Sequence, residues 1–359
     1  MLLGVGICLG ACTDASTQTT SNAQNLAESK TQSEMLAESQ ELEESSLEFL
    51  EDCDLITVGE HYVAMVTAGG DVLTVYHPDW QNTYREVLET EWKDAVKMMK
   101  NSNYPVAISS AGKLLVPNGQ TPEDLQEDLQ KQIDNEERPN LMSSEYPGYA
   151  RTMVEWSNLH QVYRNYPSGA IGLCEDGSLM EIGLLGVGLT EENWTTIQSW
   201  NALKDLVVLY DGSEIAGLDE DGNVYGVGAE LGDLDWENIV SIESGDRMLF
   251  GLTEEGKVIY TEFGFGKEYS TETMEDIVFI SAGYSHTEEI DVVYGITCEG
   301  KVIDRFGNEL PGFEDIVEID VSPAGETIVV GLKSDGTVCV SENADVAIKE
   351  AVSTWNRNE

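Results

Sequence analysis

The chain has 359 residues and carries 67 Asp and Glu against 19 Lys and Arg, a formal net charge of −48. A surface this negative repels phosphate backbones and anionic lipid headgroups, which excludes bulk nucleic-acid binding and polybasic adhesion to membranes. A hydrophobic fraction of 41% excludes a wholly disordered acidic chain.

Residues 1–11, MLLGVGICLGA, form a short apolar run ahead of Cys12. Leu9-Gly10-Ala11-Cys12 resembles a bacterial lipobox: small side chains fit the peptidase pocket, and the thiol takes a diacylglyceryl group that holds the chain to a membrane. The segment therefore reads as a lipoprotein signal peptide with Cys12 as the lipid attachment site. No Lys or Arg precedes Cys12, and Lys30 is the first basic residue, so the expected basic region lies upstream or has been trimmed. Residues 12–47 are rich in Ser, Thr, Gln, Ala and Glu and read as an acidic spacer, disordered at first and partly helical later. Residues 1–47 hold seven acids and one Lys, so 42 of the 48 net negative charges belong to residues 48–359.

Residues 48–359 are organised by an internal repeat. A small residue, an aliphatic residue, three variable residues and a Gly recur seven times, with the turn glycines at Gly69, Gly112, Gly177, Gly222, Gly256, Gly300 and Gly336. Each copy reads as a β-hairpin whose Gly supplies the positive φ of a tight turn. The small residue in the first strand of each hairpin implies close approach of a neighbouring backbone. Upstream of each hairpin stands an anchor followed by an Ile/Leu/Val-rich strand. Trp92, Trp156, Trp200, Trp236 and Phe313 hold this place, with Met274 in the sixth copy and Trp194 a competitor to Trp200. Trp355 is the anchor of a unit that stops, while the first copy lacks an aromatic anchor. The turn glycines lie 34 to 65 residues apart, about 44 on average, the length of a propeller blade. The expected fold is all-β: a seven-bladed β-propeller with short helical insertions, its ring closed by the C-terminal anchor serving the first blade. One such helix is expected over about 121–137, capped by Thr121 with Pro122 at its first position.

Val330-Gly-Leu-Lys-Ser-Asp-Gly-Thr-Val338, preceded by Asp315-Ile-Val-Glu-Ile319, resembles the repeat of the regulator-of-chromosome-condensation family. Asp276-Ile-Val-Phe-Ile-Ser-Ala-Gly283 with Ser285-His286-Thr287 is similar to it as well. The resemblance covers roughly residues 50–355 and implies a seven-bladed propeller; its motif residues are turns and core, so it implies fold rather than function. Secreted bacterial propellers with this repeat, some of which inhibit β-lactamases by binding them, are a closer analogue in setting.

Sites for chemistry are sparse. His61, His77, His160 and His286 have no mutual metal-ligand spacing, and no two Cys stand as CxxC. His61 and His286 occupy equivalent loops, where a structural role is expected. Asp219-Glu-Asp221-Gly222 reads as the repeat's turn rather than a calcium loop. Cys53, Cys174, Cys298 and Cys339 read as buried free thiols, with a Cys53–Cys339 disulfide as the alternative. No catalytic residue, cofactor or metal site is expected, although a hydrolase built on paired carboxylates would be invisible among so many acids. The expected function is a non-enzymatic scaffold, anchored on the outer face of a bacterial membrane, monomeric, and binding a protein partner that presents a basic surface. The alternative is an extracellular carbohydrate-binding or carbohydrate-active propeller, with Trp80, Tyr84, Tyr146 and Tyr149 as stacking candidates. An enzyme should bring carboxylates with shifted pKa values together near the ring axis; a binder should present an exposed patch on one face.

Overall fold

A computed structural model describes residues 54–59, 61–78, 92–100, 105–115, 156–165, 169–182, 188–209, 213–228, 231, 234–262, 268–323 and 326–358. Every described residue belongs to one compact unit within residues 52–359. Cys12, Cys53, the 121–137 helix and the four stacking candidates lie outside the described residues, as does the spacer.

The alternation of apolar residues about each Gly turn produces seven antiparallel sheets among the described residues, each made of consecutive strands. The first comprises β1 (Ile56–Val58), β2 (Tyr62–Val66) and β3 (Val72–Tyr76). The second comprises β4 (Ala95–Met98), β5 (Ala107–Ser109) and β6 (Leu114–Leu115), and the third β7 (Leu159–Asn165), β8 (Gly169–Cys174) and β9 (Leu179–Ile182). The fourth holds β10 (Leu203–Leu209), β11 (Glu214–Asp219) and β12 (Val224–Val227). Four strands build the fifth: β13 (Ile239–Ser244), β14 (Met248–Thr253), β15 (Val258–Glu262) and β16 (Glu268–Ser270). The sixth has β17 (Ile277–Ser285), β18 (Ile290–Thr297) and β19 (Val302–Asp304), and the seventh β20 (Ile316–Val321), β21 (Val329–Lys333) and β22 (Val338–Val340).

Neighbouring sheets touch in chain order, β2 with β4, β5 with β7, β7 with β10, β10 with β13, β13 with β17 and β17 with β20, and β20 returns to β1. Sheets that meet this way around a closed circuit, first strands toward the centre, form a β-propeller. The fold is therefore all-β, with two short helices among the described residues. Helix α1 (Glu191–Ile197) is capped by Thr190, whose side chain accepts from the Asn193 N–H, and α2 (Val346–Val352) by Asp345. The core runs between sheets as successive apolar clusters, such as Trp236, Ile239 and Ile242 against Leu218 and Val224 of the preceding sheet.

The turn Gly of one sheet is fastened to the next. Gly222 O accepts the Ile239 N–H at 3.0 Å, Gly256 O the Ile277 N–H at 3.0 Å, and Gly300 O the Ile316 N–H at 2.9 Å. Just before the innermost strand the backbone turns through positive φ at Asp94, Asn158, Ala202, Asn238, Asp276 and Asp315. Asp and Asn tolerate that region better than most side chains, which accounts for their recurrence there. In the first copy the positive φ falls on Gly70 (79°), not on Gly69, because this copy has one extra residue in its turn. Gly70 O, accordingly, accepts the Ala95 N–H of the next sheet.

Where the small residue of the repeat is Gly, in the third to seventh copies, it answers to a side chain rather than to the neighbouring backbone. A Cβ built on Gly251 would lie 2.9 Å from the Trp236 ring, one on Gly217 2.8 Å from Trp200, and one on Gly331 2.9 Å from Phe313. The anchor lies flat on its own second strand, and Trp200, not Trp194, fills the place in the fourth sheet. At the C-terminus Trp355 is buried, Arg357 N–H donates to Gly336 O, and Arg357 O accepts from Ala68 N–H of the first sheet. Residues 355–357 thus supply the anchor link that the first sheet lacks.

Gly251→Val should lower unfolding stability by about 1–3 kcal/mol, the usual cost of overpacking a tight contact. Combining it with Trp236→Leu should cost less than the two single changes added together, measured as urea midpoints. Strict additivity would show that ring and glycine do not share the site.

Candidate functional site

A strand on the inner edge of a propeller blade has no strand partner toward the axis, so its polar groups there need other acceptors and donors. Here every sheet contributes a side chain. Asp54 precedes β1, Lys100 follows β4, Gln161 and Tyr163 lie on β7, Asp205 on β10, Glu243 on β13, Phe279 and Ser281 on β17, and Glu318 and Asp320 on β20.

Lys100 is the only cation of the group. Its Nζ lies 3.0 Å from Glu243 Oε1 and 3.2 Å from Asp54 Oδ1, and 5.5 Å from the centroid of the Phe279 ring. Gln161 Nε2 donates to Asp54 Oδ2 at 2.7 Å, and the Tyr163 hydroxyl to Asp205 Oδ1 at 2.8 Å. Two carboxylates tie the seventh sheet to the first. Glu318 Oε1 accepts the N–H groups of Leu55 (2.9 Å) and Ile56 (3.2 Å). Asp320 Oδ2 accepts the Val58 N–H (2.8 Å) and the Thr57 hydroxyl (3.0 Å).

Five carboxyl groups gather around one ammonium, and burial works against ionising all of them. Burial pushes the Glu318 carboxyl up to about 8, aided by the Asp54 charge and opposed by Lys100 and the Ile56 N–H. Glu243 is raised to about 7 by burial against the pull of Lys100, and Asp205 to about 6 by burial against the Tyr163 hydrogen bond. Asp320 is raised by burial as well. Burial would lower Lys100, but the charges of Glu243, Asp54, Asp320 and Glu318 outweigh it and hold the ammonium well above its ordinary range.

Convergent carboxylates with raised pKa values are what the sequence criterion asked of an enzyme. The two most buried of them, however, commit oxygens to the fold. Glu318 is 2% exposed and Asp320 4%, and both spend oxygens on β1. Presenting either to a substrate would break the contact between the last sheet and the first. Among the described residues no group of three or more His, Cys, Asp and Glu is arranged to hold a metal ion.

The other expected positions are dispersed. His160 Nδ1 faces Glu175 at 3.5 Å, and His286 meets Tyr284 edge-on at 5.0 Å. In the Asp219 turn the carboxylate accepts from the Asp221 and Asn223 N–H groups and from the Tyr225 hydroxyl, so its oxygens serve the turn. Cys174 is buried, but Cys298 is exposed because it sits in the hairpin turn rather than in a strand. Cys339 is a free thiol, lifted to about 11 by burial. The axial group was missed in the sequence. Its signal is a charged residue inside an otherwise apolar strand, as in Ile316-Val-Glu-Ile-Asp-Val321.

No known protein family and no curated protein matches the chain. Several solved structures are similar in fold. Prp20p of Saccharomyces cerevisiae, described with its binding to Gsp1p and histones, aligns at 12% identity and a TM-score of 0.46 over 82% of this chain and 83% of its own. Human WBSCR16 aligns at 11% identity and a TM-score of 0.40 over 85% and 79%. PorZ, a surface component of the type-IX secretion system of Porphyromonas gingivalis, aligns at 9% and 0.43 over 80% and 36%. These likenesses concern the fold alone.

The raised carboxyls fix the sign of a pH dependence. A group whose pKa is higher folded than unfolded binds more protons in the folded state, so its contribution is present at low pH and lost as pH rises. Between about pH 5 and 8 the protein should lose stability, and Glu318→Gln, which keeps an acceptor for β1, should flatten that slope. Urea midpoints across this range check it; a wild-type midpoint that rises with pH would contradict the protonated axis.

Proposed function

We propose that this chain is a non-enzymatic protein-binding scaffold, held on the outer face of a bacterial membrane by lipidated Cys12 and lifted from it by the acidic spacer. One observation carries the binding reading: Glu318 and Asp320, the most buried of the convergent acids at the axis, are spent on joining the last sheet to the first. What the fold then offers to other molecules is its two faces, a rigid set of sheets bearing turns whose sequences differ from copy to copy, the arrangement in which loops commonly carry function. The anchor is supported by the Leu9-Gly10-Ala11-Cys12 motif and by the polar tract behind it. The charge of −48 favours a partner with a basic surface.

Two measurements test this reading. Metabolic labelling with palmitate should mark the wild-type chain and not Cys12→Ala; equal labelling would refute lipidation. Affinity capture with the full-length chain on extracts of its own and neighbouring cells should recover a discrete protein that releases with salt. Recovery of none, together with turnover of an oligosaccharide that Glu243→Gln abolishes, would replace the scaffold with the carbohydrate-active alternative.

A further inference from the structure

In six of the seven sheets the pairing between innermost and second strand slips by one residue near the start of the innermost strand. The residues left unpaired are Val96, His160, Lys204, Val240, Val278 and Val317. Such bulges turn a side chain out of the ladder. Val96, Val240 and Val278 are 41%, 38% and 46% exposed, and they make up half of the exposed large hydrophobics among the described residues. An exposed apolar residue that recurs at one repeat position is not scattered surface.

Register places these valines at one end of the propeller. Ile239 stands opposite Thr253, Ile277 opposite Thr297 and Ile316 opposite Lys333, so the bulges and the turns that follow the second strands share a face. Those turns carry exposed Glu254, Glu255 and Glu299. The links entering the same strands carry exposed Glu237, Glu275 and Glu314, each three residues before its bulge valine. Two of the turn lysines are engaged, Lys257 2.8 Å from Glu255 and Lys301 2.8 Å from Glu309, and Lys333 stands half-buried opposite Ile316. Lys204, half-buried on the fourth sheet, bounds the sector on one side.

We infer that the face at which β13, β17 and β20 begin docks a cationic protein surface with a small apolar centre, the valines meeting the apolar part and the glutamates the cations. This rests on the scaffold reading and names its surface. An apolar centre inside a polar, charge-complementary border is the anatomy of a protein interface. The occupant is a protein because an acidic border repels anionic lipid and nucleic acid.

The test uses the full-length chain and two fluorescent helical peptides of equal charge, one of Lys and Leu with an apolar stripe, the other of Lys and Ser. By anisotropy the Lys/Leu peptide should bind about tenfold tighter, roughly the effect of one well-placed apolar contact. Val240→Ser with Val278→Ser should erase that margin while leaving Lys/Ser binding unchanged. Glu237→Gln, Glu275→Gln and Glu314→Gln together should weaken both peptides and flatten the salt dependence. Glu342→Gln with Glu350→Gln, exposed around α2 beside the outer strands β3 and β22, should change neither. Unchanged melting temperatures verify folding. Equal affinity for the two peptides, or a margin that survives the valine changes, overturns the assignment. A captured partner indifferent to the valine changes refutes this face and leaves the scaffold reading standing.

Discussion

A ring of sheets depends on the joint where its first and last members meet. In this chain the joint is made from both ends. Glu318 and Asp320 of β20 reach the backbone N–H groups of β1 from the axis, and residues 355–357 bring the anchor link of the first sheet from the C-terminus. Each part solves a distinct problem. The carboxylates satisfy edge donors that no strand can reach, and Arg357, two residues after the buried Trp355, links the backbone of the seventh sheet's turn to that of the first sheet. Each of the two carboxyl groups bonds two donors of the first sheet, which suits a joint that closes over more than 260 residues.

The same joint explains how so acidic a chain buries acids at its centre. Lys100, on the second sheet, bridges Asp54 from the first and Glu243 from the fifth, so one ammonium serves opposite parts of the ring. Burial raises the carboxyls of Glu318, Glu243, Asp205 and Asp320 against the pull of that one ammonium. The axis is therefore polar, with Glu318 and Asp320 committed to the joint, and the two faces remain as surfaces for partners. There the repeat places an unpaired residue at the same point of successive sheets, and in the later copies that residue is a valine.

Much of this was legible in the sequence. The turn glycines, the anchors and the propeller period could be read from residue spacing, and Trp355 announced the closure. What sequence could not resolve was local geometry. The extra residue in the first copy moves the positive φ from Gly69 to Gly70, a shift that only the hydrogen bond from Ala95 discloses. The small residue of the repeat looked like a site of backbone approach, but it is the seat of the anchor's own ring. The axial group stayed hidden because its members come from seven separate sheets, and each residue alone looks like an irregularity of its own copy. The valine bulges stayed hidden for a related reason: Ile-Val pairs read as two buried strand positions until a register slip turns the second outward.

The closure can be observed directly by amide hydrogen exchange on the full-length chain under native conditions. The account predicts that Leu55, Ile56 and Val58 exchange as slowly as the core amides of β17 and β20, since all open with the ring as one cooperative unit. Rapid exchange at these three amides, with the remaining sheets still protected, would contradict it and show that β1 is a loose end rather than the strand that completes the ring.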